Sequence, residues 1–202
     1  MVADLPPSPN PVLLVHGIDD TGRVFDALAP KLRAAGWHVE TIDMVPNNGD
    51  ASLALLAEQV GDKVARMRAT TGASRVDLVA FSLGGIVSRY YLQRLGGASQ
   101  VQRFVTLSSP HAGTLMGYVR WNQGASELRR GSAFLADLNR DWHQTARQVR
   151  VTSVWTPLDL MIVPANSSEL QGARNLTVPV ALHSLMLVDN RCHALVLEAL
   201  RD

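Results

Sequence analysis

Val76-Asp77-Leu78-Val79-Ala80-Phe81-Ser82-Leu83-Gly84-Gly85 runs from a buried-strand pattern straight into a helix-like one, with a serine at the corner. The corner has the form Ala80-x-Ser82-x-Gly84, a variant of G-x-S-x-G with alanine first. The spacing has a steric cause. A serine whose hydroxyl projects above a sheet edge must sit on a tight turn, and the backbone two residues on either side then passes close to strand and helix. Small side chains are needed there, and Ala80 and Gly84 supply them. The helix start just beyond also favours developing negative charge. Ser82 is therefore the candidate nucleophile. A serine that merely caps a helix would not need small residues on both sides.

Working outward, short apolar runs alternate with helical patterns. Pro11–Val15 reads as a strand that stops at His16-Gly17, and a helix follows over about Val24–Ala35 with Phe25, Leu28 and Leu32 on one face. Gly36 is placed as its C-terminal stop. Trp37–Ile42 is the next strand, Asn47-Asn48-Gly49 a turn, and Ser52–Arg68 a helix with Leu53, Leu56, Val60, Val64 and Met67 inward. Strand Arg75–Ala80 leads to helix Leu83–Leu95, which Gly84 and Gly85 interrupt at its start. Strands follow at Arg103–Leu107 and Arg150–Trp155, with a weaker one at Asn175–Val180 because of Pro179. Leu185–Leu200 closes the chain as a helix. This alternation implies an α/β fold: a mostly parallel sheet of about six strands with helices on both faces. Function in such sheets sits at the carboxyl ends of the strands.

Residues 115–148 break the rhythm. They carry Tyr118, Trp121, Phe134 and Trp142 but no strand pattern. Two readings stay open: a cap or lid over the active edge, or an ordinary crossover with one helix over about Ala133–Asn139. Otherwise the 202 residues read as a single domain, with residues 1–11 a proline-rich extended lead-in.

Composition narrows the function classes. Hydrophobic residues make up 47% and charged residues 18%, a balance that suits a packed globular core. With 19 basic and 18 acidic residues the formal net charge is +1, which provides no field to attract nucleic acid. One cysteine, Cys192, permits no intrachain disulfide and reads as a small apolar helix residue. No apolar run approaches a membrane span, and the first residues lack a signal-peptide pattern. No His, Cys and carboxylate cluster has metal-ligand spacing, so no catalytic metal is expected.

A serine nucleophile needs a base, and the base an orienting carboxylate. With this corner the acid comes later in the chain and the histidine last. His183 follows the last strand-like run at a strand-to-helix corner and is the candidate base. His193 lies inside the closing helix as a structural or solvated residue, His111 braces a loop, and His143 is exposed. Asp159 follows strand Arg150–Trp155 by a short turn and is the candidate acid, whereas Asp137 and Asp141 belong to a polar helix face. Two backbone N–H groups must hold the oxyanion, each worth about 3 kcal/mol. Leu83, after the nucleophile, is one. Ile18, in the loop Val15-His16-Gly17-Ile18-Asp19-Asp20 after the first strand, is the other, with His16 bracing that loop.

These residues resemble the small bacterial triacylglycerol lipases of the Ala-x-Ser-x-Gly type, members of the α/β-hydrolase fold. The resemblance rests on Val15–Ile18, on Val76–Gly85, on Thr106-Leu107-Ser108-Ser109-Pro110-His111-Ala112-Gly113-Thr114, on Asp159–Val163, on Gly172–Asn175 and on the His183 corner. It implies lipase or esterase activity without a cofactor, and a triad on Ser82, Asp159 and His183. It favours a secreted protein. Phe81 departs from it, standing where the family commonly has histidine.

The expected rim is apolar: Ile18, Phe81, Leu83, Leu115, Met116, Leu158, Met161 and Ile162. Such a rim suits an acyl chain, each buried CH₂ contributing ~0.8 kcal/mol. The expectation is a monomeric serine carboxylic ester hydrolase acting on acylglycerols or related apolar esters, at a lipid–water interface where the substrate demands it. A thioesterase or other acyl-transfer hydrolase on the same triad is the alternative. A non-catalytic binding protein of this fold would have no need of all three triad residues.

Overall fold

The computed structural model describes residues 9–202; the first eight residues of the expected lead-in lie outside the described part. Six strands form one sheet: β1 (Val12–Val15), β2 (Val39–Ile42), β3 (Val76–Phe81), β4 (Val101–Leu107), β5 (Arg150–Trp155) and β6 (Arg174–Thr177). Their spatial order is β2-β1-β3-β4-β5-β6, and every neighbouring pair is parallel. The helices are α1 (Ala29–Ala34), α2 (Leu53–Thr71), α3 (Leu83–Arg94), α4 (Gln123–Glu127), α5 (Ala133–Thr145) and α6 (Asn190–Ala199).

Parallel strands covered on both faces should be apolar at every position, and β3 is buried throughout. Its alternation sends Leu78 and Ala80 into one core and Val79 and Phe81 into the other. The first core packs the sheet against α2, α3 and α5. The second packs it against α1 and α6. Ser52 caps α2 by accepting from the amide of Leu55, and Gly72 ends that helix in the left-handed conformation at φ 71°. All five residues expected to face inward from α2 are buried.

Beyond shifted strand ends, such as the last strand at Arg174–Thr177 in place of the expected Asn175–Val180, three helices differ from the expected ones. The helix expected over 24–35 is split into a 3₁₀ turn, Gly22–Phe25, and α1. Pro30 lies in the first turn of α1, where its missing N–H costs nothing, and its ring disfavours helix before it. Phe25, Leu28 and Leu32 are nevertheless all fully buried. The closing helix is likewise two pieces, a 3₁₀ turn at His183–Leu187 and α6, separated where Asp189 caps α6 by accepting from the amide of Arg191. In the third, α5 runs six residues beyond Asn139 because Trp142 packs into the first core and donates from Nε1 to the carbonyl of Gln171 at 2.8 Å.

Residues 115–148 hold a 3₁₀ turn (Leu115–Tyr118), α4 and α5. α5 behaves as a crossover helix against α3, tied there by Arg94, which pairs with Asp137 at 2.9 Å and Asp141 at 3.0 Å. The first half lies at the sheet's active edge. The buried Arg89 of α3 ties α5 to the loop after β4, donating to the carbonyls of Leu138 at 3.1 Å and His111 at 3.3 Å and stacking on Trp142. Burial pushes its guanidinium down to about 9. Among the described residues no helix is long and apolar enough to cross a membrane.

Candidate active site

The β3–α3 corner carries Ser82 at φ 52° and ψ −125°, a strained conformation for a residue with a side chain. The strain is held from both sides: Ser82 N–H donates to the carbonyl of Leu107 at 2.9 Å, and Ser82 C=O accepts from Gly85 at 3.0 Å. The glycines expected to interrupt α3 do not break it; they let it come close. A Cβ on Gly84 would stand 2.4 Å from the carbonyl oxygen of His16, and one on Gly85 2.1 Å from Ser109 Oγ. Gly84→Ala should therefore push α3 off the end of β1 and lower stability by about 1–3 kcal/mol. A urea denaturation midpoint equal to wild type would contradict that close approach.

The loop after β1 faces this corner. His16 is fully buried; its Nε2 accepts from the amide of Met44 at 2.9 Å, so its Nδ1 carries the proton and donates to Gly17 C=O at 2.8 Å. This is a brace between the loop and the end of β2. The N–H groups of Ile18 and Leu83 make no hydrogen bond among the described residues, which leaves both free to receive an oxyanion.

Asp159 lies in the turn after β5 and is 5% exposed. Its Oδ1 accepts from the amides of Met161 at 2.9 Å and Ile162 at 3.0 Å, and its Oδ2 accepts from His183 Nδ1 at 2.8 Å. Burial by itself would raise this carboxyl, but the hydrogen bond and charge of His183 and the two amides outweigh it and hold the group below its usual value. Thr156 locks the acid turn to the chain leading into His183: its hydroxyl donates to Val180 C=O at 2.6 Å and accepts from the amide of Leu158 at 3.2 Å. Thr114 ties the start of the 115–148 segment to the same turn, donating to Met161 C=O at 2.8 Å.

Ser82 and His183 line one cleft of about 310 Å³. The imidazole of His183 packs on the ring of Phe81, centroids 4.7 Å apart, so the residue beside Ser82 touches the histidine. Of the expected rim, Ile18, Phe81, Met116, Met161 and Ile162 line the cleft. Leu115 and Leu158 do not. Both are about half exposed, because each begins a turn that is pinned by its backbone and points the side chain outward. Leu83 is turned into the first core. The cleft also takes in Asp19, Asp20, Val119, Arg120, Ala125, Leu128 and Leu187, which the sequence pattern did not single out. Asp19 pairs with Arg120, so the loop carrying Ile18 is clasped to the 115–128 segment across the mouth.

The other histidines are held elsewhere. His193 is buried, its Nε2 donating to Leu187 C=O at 2.7 Å and its Nδ1 facing Lys31 Nζ at 2.8 Å. His143 is exposed. His111 is buried beside Thr106, 3.1 Å away, and burial followed by the Arg89 charge holds its imidazole well below the usual histidine range. It stays neutral when folded and takes up a proton on unfolding below about pH 6.5. The unfolded chain then binds more protons, so stability falls as pH drops, by up to ~1.4 kcal/mol per pH unit. His193, also lowered by burial, acts in the same sense, whereas Asp77, pushed up to about 6 by burial, acts in the opposite one. Both remain in a His111→Gln variant. Wild type should thus lose more stability than that variant between pH 7 and pH 5 in urea melts; parallel slopes would contradict the neutral buried imidazole.

No group of three or more His, Cys, Asp or Glu residues among those described could hold a metal ion. Ser82 thus shares an apolar cleft with an imidazole oriented by Asp159 and stands beside two unpaired amides, and among the described residues no hydrogen bond joins its hydroxyl to His183.

Comparison with solved structures returns the same architecture. The mature lipase BlEst2 of Bacillus licheniformis superposes with a TM-score of 0.84 at 18% identity, over 99% of this chain and 95% of that one. Lipase B of Aspergillus fumigatus gives 0.81 at 18% identity, over 96% of this chain and 53% of the other. The thioesterase domain from the curacin biosynthetic pathway gives 0.68 at 12% identity, over 98% and 93%. At these identities the likeness is one of fold, the α/β-hydrolase fold. The family is shown by sequence: the model for palmitoyl protein thioesterase matches residues 11–117, more than half of the chain, including β1, the His16-Gly17 loop and the Ser82 corner. On that match and that architecture, the chain is an α/β-hydrolase and belongs to the palmitoyl protein thioesterase family.

Proposed function

We propose that this protein is a serine hydrolase of carboxylic esters with an apolar acyl part, acylglycerols among them, close in design to small bacterial triacylglycerol lipases. The observation that carries the reading is the Asp159–His183 hydrogen bond, placed so that His183 opens into the same cleft as Ser82. Asp159 orients the imidazole with its proton on Nδ1, leaving Nε2 as the base. His183 takes the proton of Ser82 Oγ as that oxygen attacks the ester carbonyl carbon. The carbonyl electron pair moves to oxygen and is held by the N–H groups of Ile18 and Leu83. Collapse of the tetrahedral species expels the alcohol, which leaves with the proton from His183. Water, deprotonated by His183, then releases the acid from Ser82.

The acyl part has an apolar bed in Met116, Val119, Ala125, Leu128, Met161 and Ile162. Around the mouth stand exposed apolar side chains, among them Trp121 at 93% exposure, Val119 and Leu160, which suits work at a lipid–water interface. The family match favours a second reading, in which the scissile bond is a thioester and the same steps expel a thiol.

A p-nitrophenyl ester series from acetate to palmitate, run beside matched ethanethiol thioesters, tests both. kcat/KM should rise about tenfold from acetate to butyrate as two more CH₂ groups are buried. Thioesters outpacing oxygen esters at every chain length would favour the second reading. Acetate as the best substrate, or no turnover in either series, would contradict the apolar acyl site.

A further inference from the structure

Asp20 lies in the cleft, yet none of the steps above uses it. Its neighbour Asp19 is neutralised by Arg120, the cation on the opposite wall. Asp20 has no such partner: its side chain makes no ion pair among the described residues, while its backbone carbonyl accepts from Asn47 Nδ2 at 2.7 Å. The carboxylate is therefore the one formal charge facing the cleft that no opposite charge cancels.

Its position relative to the reacting atoms follows from Gly17. The point where a Gly17 Cβ would stand lies 2.9 Å from Asp20 Oδ2 and 3.1 Å from Ser82 Cβ. The carboxylate oxygen and Ser82 Cβ thus flank the same point of the Ile18 loop, each about 3 Å from it. Partial burial raises the Asp20 carboxyl, and a hydrogen bond from the Gly17 amide works against that. The leaving oxygen or sulfur must lie within hydrogen-bond reach of the histidine that protonates it. Asp20 and His183 line the same cleft, so a departing group held at the imidazole stands in the cavity that the carboxylate faces.

We infer that Asp20 selects substrates by the charge of the leaving group, favouring cationic alcohols or thiols over neutral ones and rejecting anionic ones. The inference rests on the ester-hydrolase reading above and deepens it. A half-buried carboxylate without a counter-ion, in the cleft beside the reacting serine, attracts a cation and repels an anion more strongly than it would in open water. Polyanionic carriers of acyl groups are accordingly poor substrates, and esters of amino alcohols good ones.

Three butyrate esters of similar size test this: the choline ester (cationic), the 3,3-dimethylbutyl ester (its neutral isostere) and the 2-sulfoethyl ester (anionic). For wild type at low salt, kcat/KM should fall in that order, with at least tenfold between the first and the last, and the spread should narrow in 1 M NaCl. In Asp20→Asn the spread should shrink to about threefold or less. The ratio is taken within each variant, so a general loss of activity cancels, and Asp20→Ser serves if the asparagine variant does not fold. An unchanged spread in the variants, or a wild-type order that favours the anion, overturns the inference, while turnover of the neutral ester leaves the ester-hydrolase reading standing. Failure of wild type to cleave any of the three overturns both.

Discussion

Ser82→Ala is expected to abolish ester turnover, lowering kcat by about 10⁶-fold, the scale on which loss of a serine nucleophile acts elsewhere. The residual rate would come from the amides of Ile18 and Leu83 and from substrate binding. The fold should survive, because Ser82 is held through its backbone, to Leu107 and Gly85, and its hydroxyl makes no structural hydrogen bond among the described residues. A thermal melt should therefore move by no more than the ordinary effect of a mild substitution, about 1 kcal/mol. Full turnover in a folded Ser82→Ala variant would end the assignment of the nucleophile.

His183→Ala should lower kcat by at least about 10⁴-fold with little effect on stability, since the ring lies at the cleft, hydrogen bonded to Asp159 and packed on Phe81. His193→Ala should show the reverse pattern. That imidazole is buried and hydrogen bonded to Leu187, so its loss costs roughly 1–3 kcal/mol in a urea melt and leaves kcat close to wild type. The contrast matters because the two histidines lie ten residues apart, and order along the chain allows either as base. If His193→Ala were the inactive variant, the wrong histidine would have been placed in the triad.

Much of the architecture could be read from the chain because parallel strands buried on both faces leave near-continuous apolar runs, as at Val12–Val15 and, apart from Asp77, at Val76–Phe81. The inward stripe of α2 and its Ser52 cap were legible for the same local reason. Positions near strand ends were legible too: Ser82 follows β3 directly, Asp159 lies four residues past β5 and His183 six past β6, and the common direction of the strands brings these turns to one edge of the sheet. The breaks at Pro30 and at Val188-Asp189 were not, since the hydrophobic spacing continues through both and a pattern of apolar residues does not register a change of axis.

The rim was only partly legible. Leu115 and Leu158 are as apolar as Met116 and Met161, and what separates them is the aim of a turn set by distant partners such as Thr114, Val163 and Thr156. The polar side of the cleft was hidden for a related reason. Asp19 meets Arg120 across 101 residues of sequence, and a contact of that range leaves no periodic trace. A signal existed in the pair Asp19-Asp20, two acids directly after a His-Gly strand end where a ligand should approach.

The most direct test is to treat the protein with a fluorophosphonate and locate the adduct by peptide mass spectrometry, comparing wild type with His183→Ala and Asp159→Asn. A single phosphonyl group on the peptide containing Ser82, formed fast in wild type and at least a hundredfold more slowly in both variants, is the expected result. Label on another residue, or equal labelling rates in all three proteins, would show that the serine, histidine and aspartate do not work as one unit.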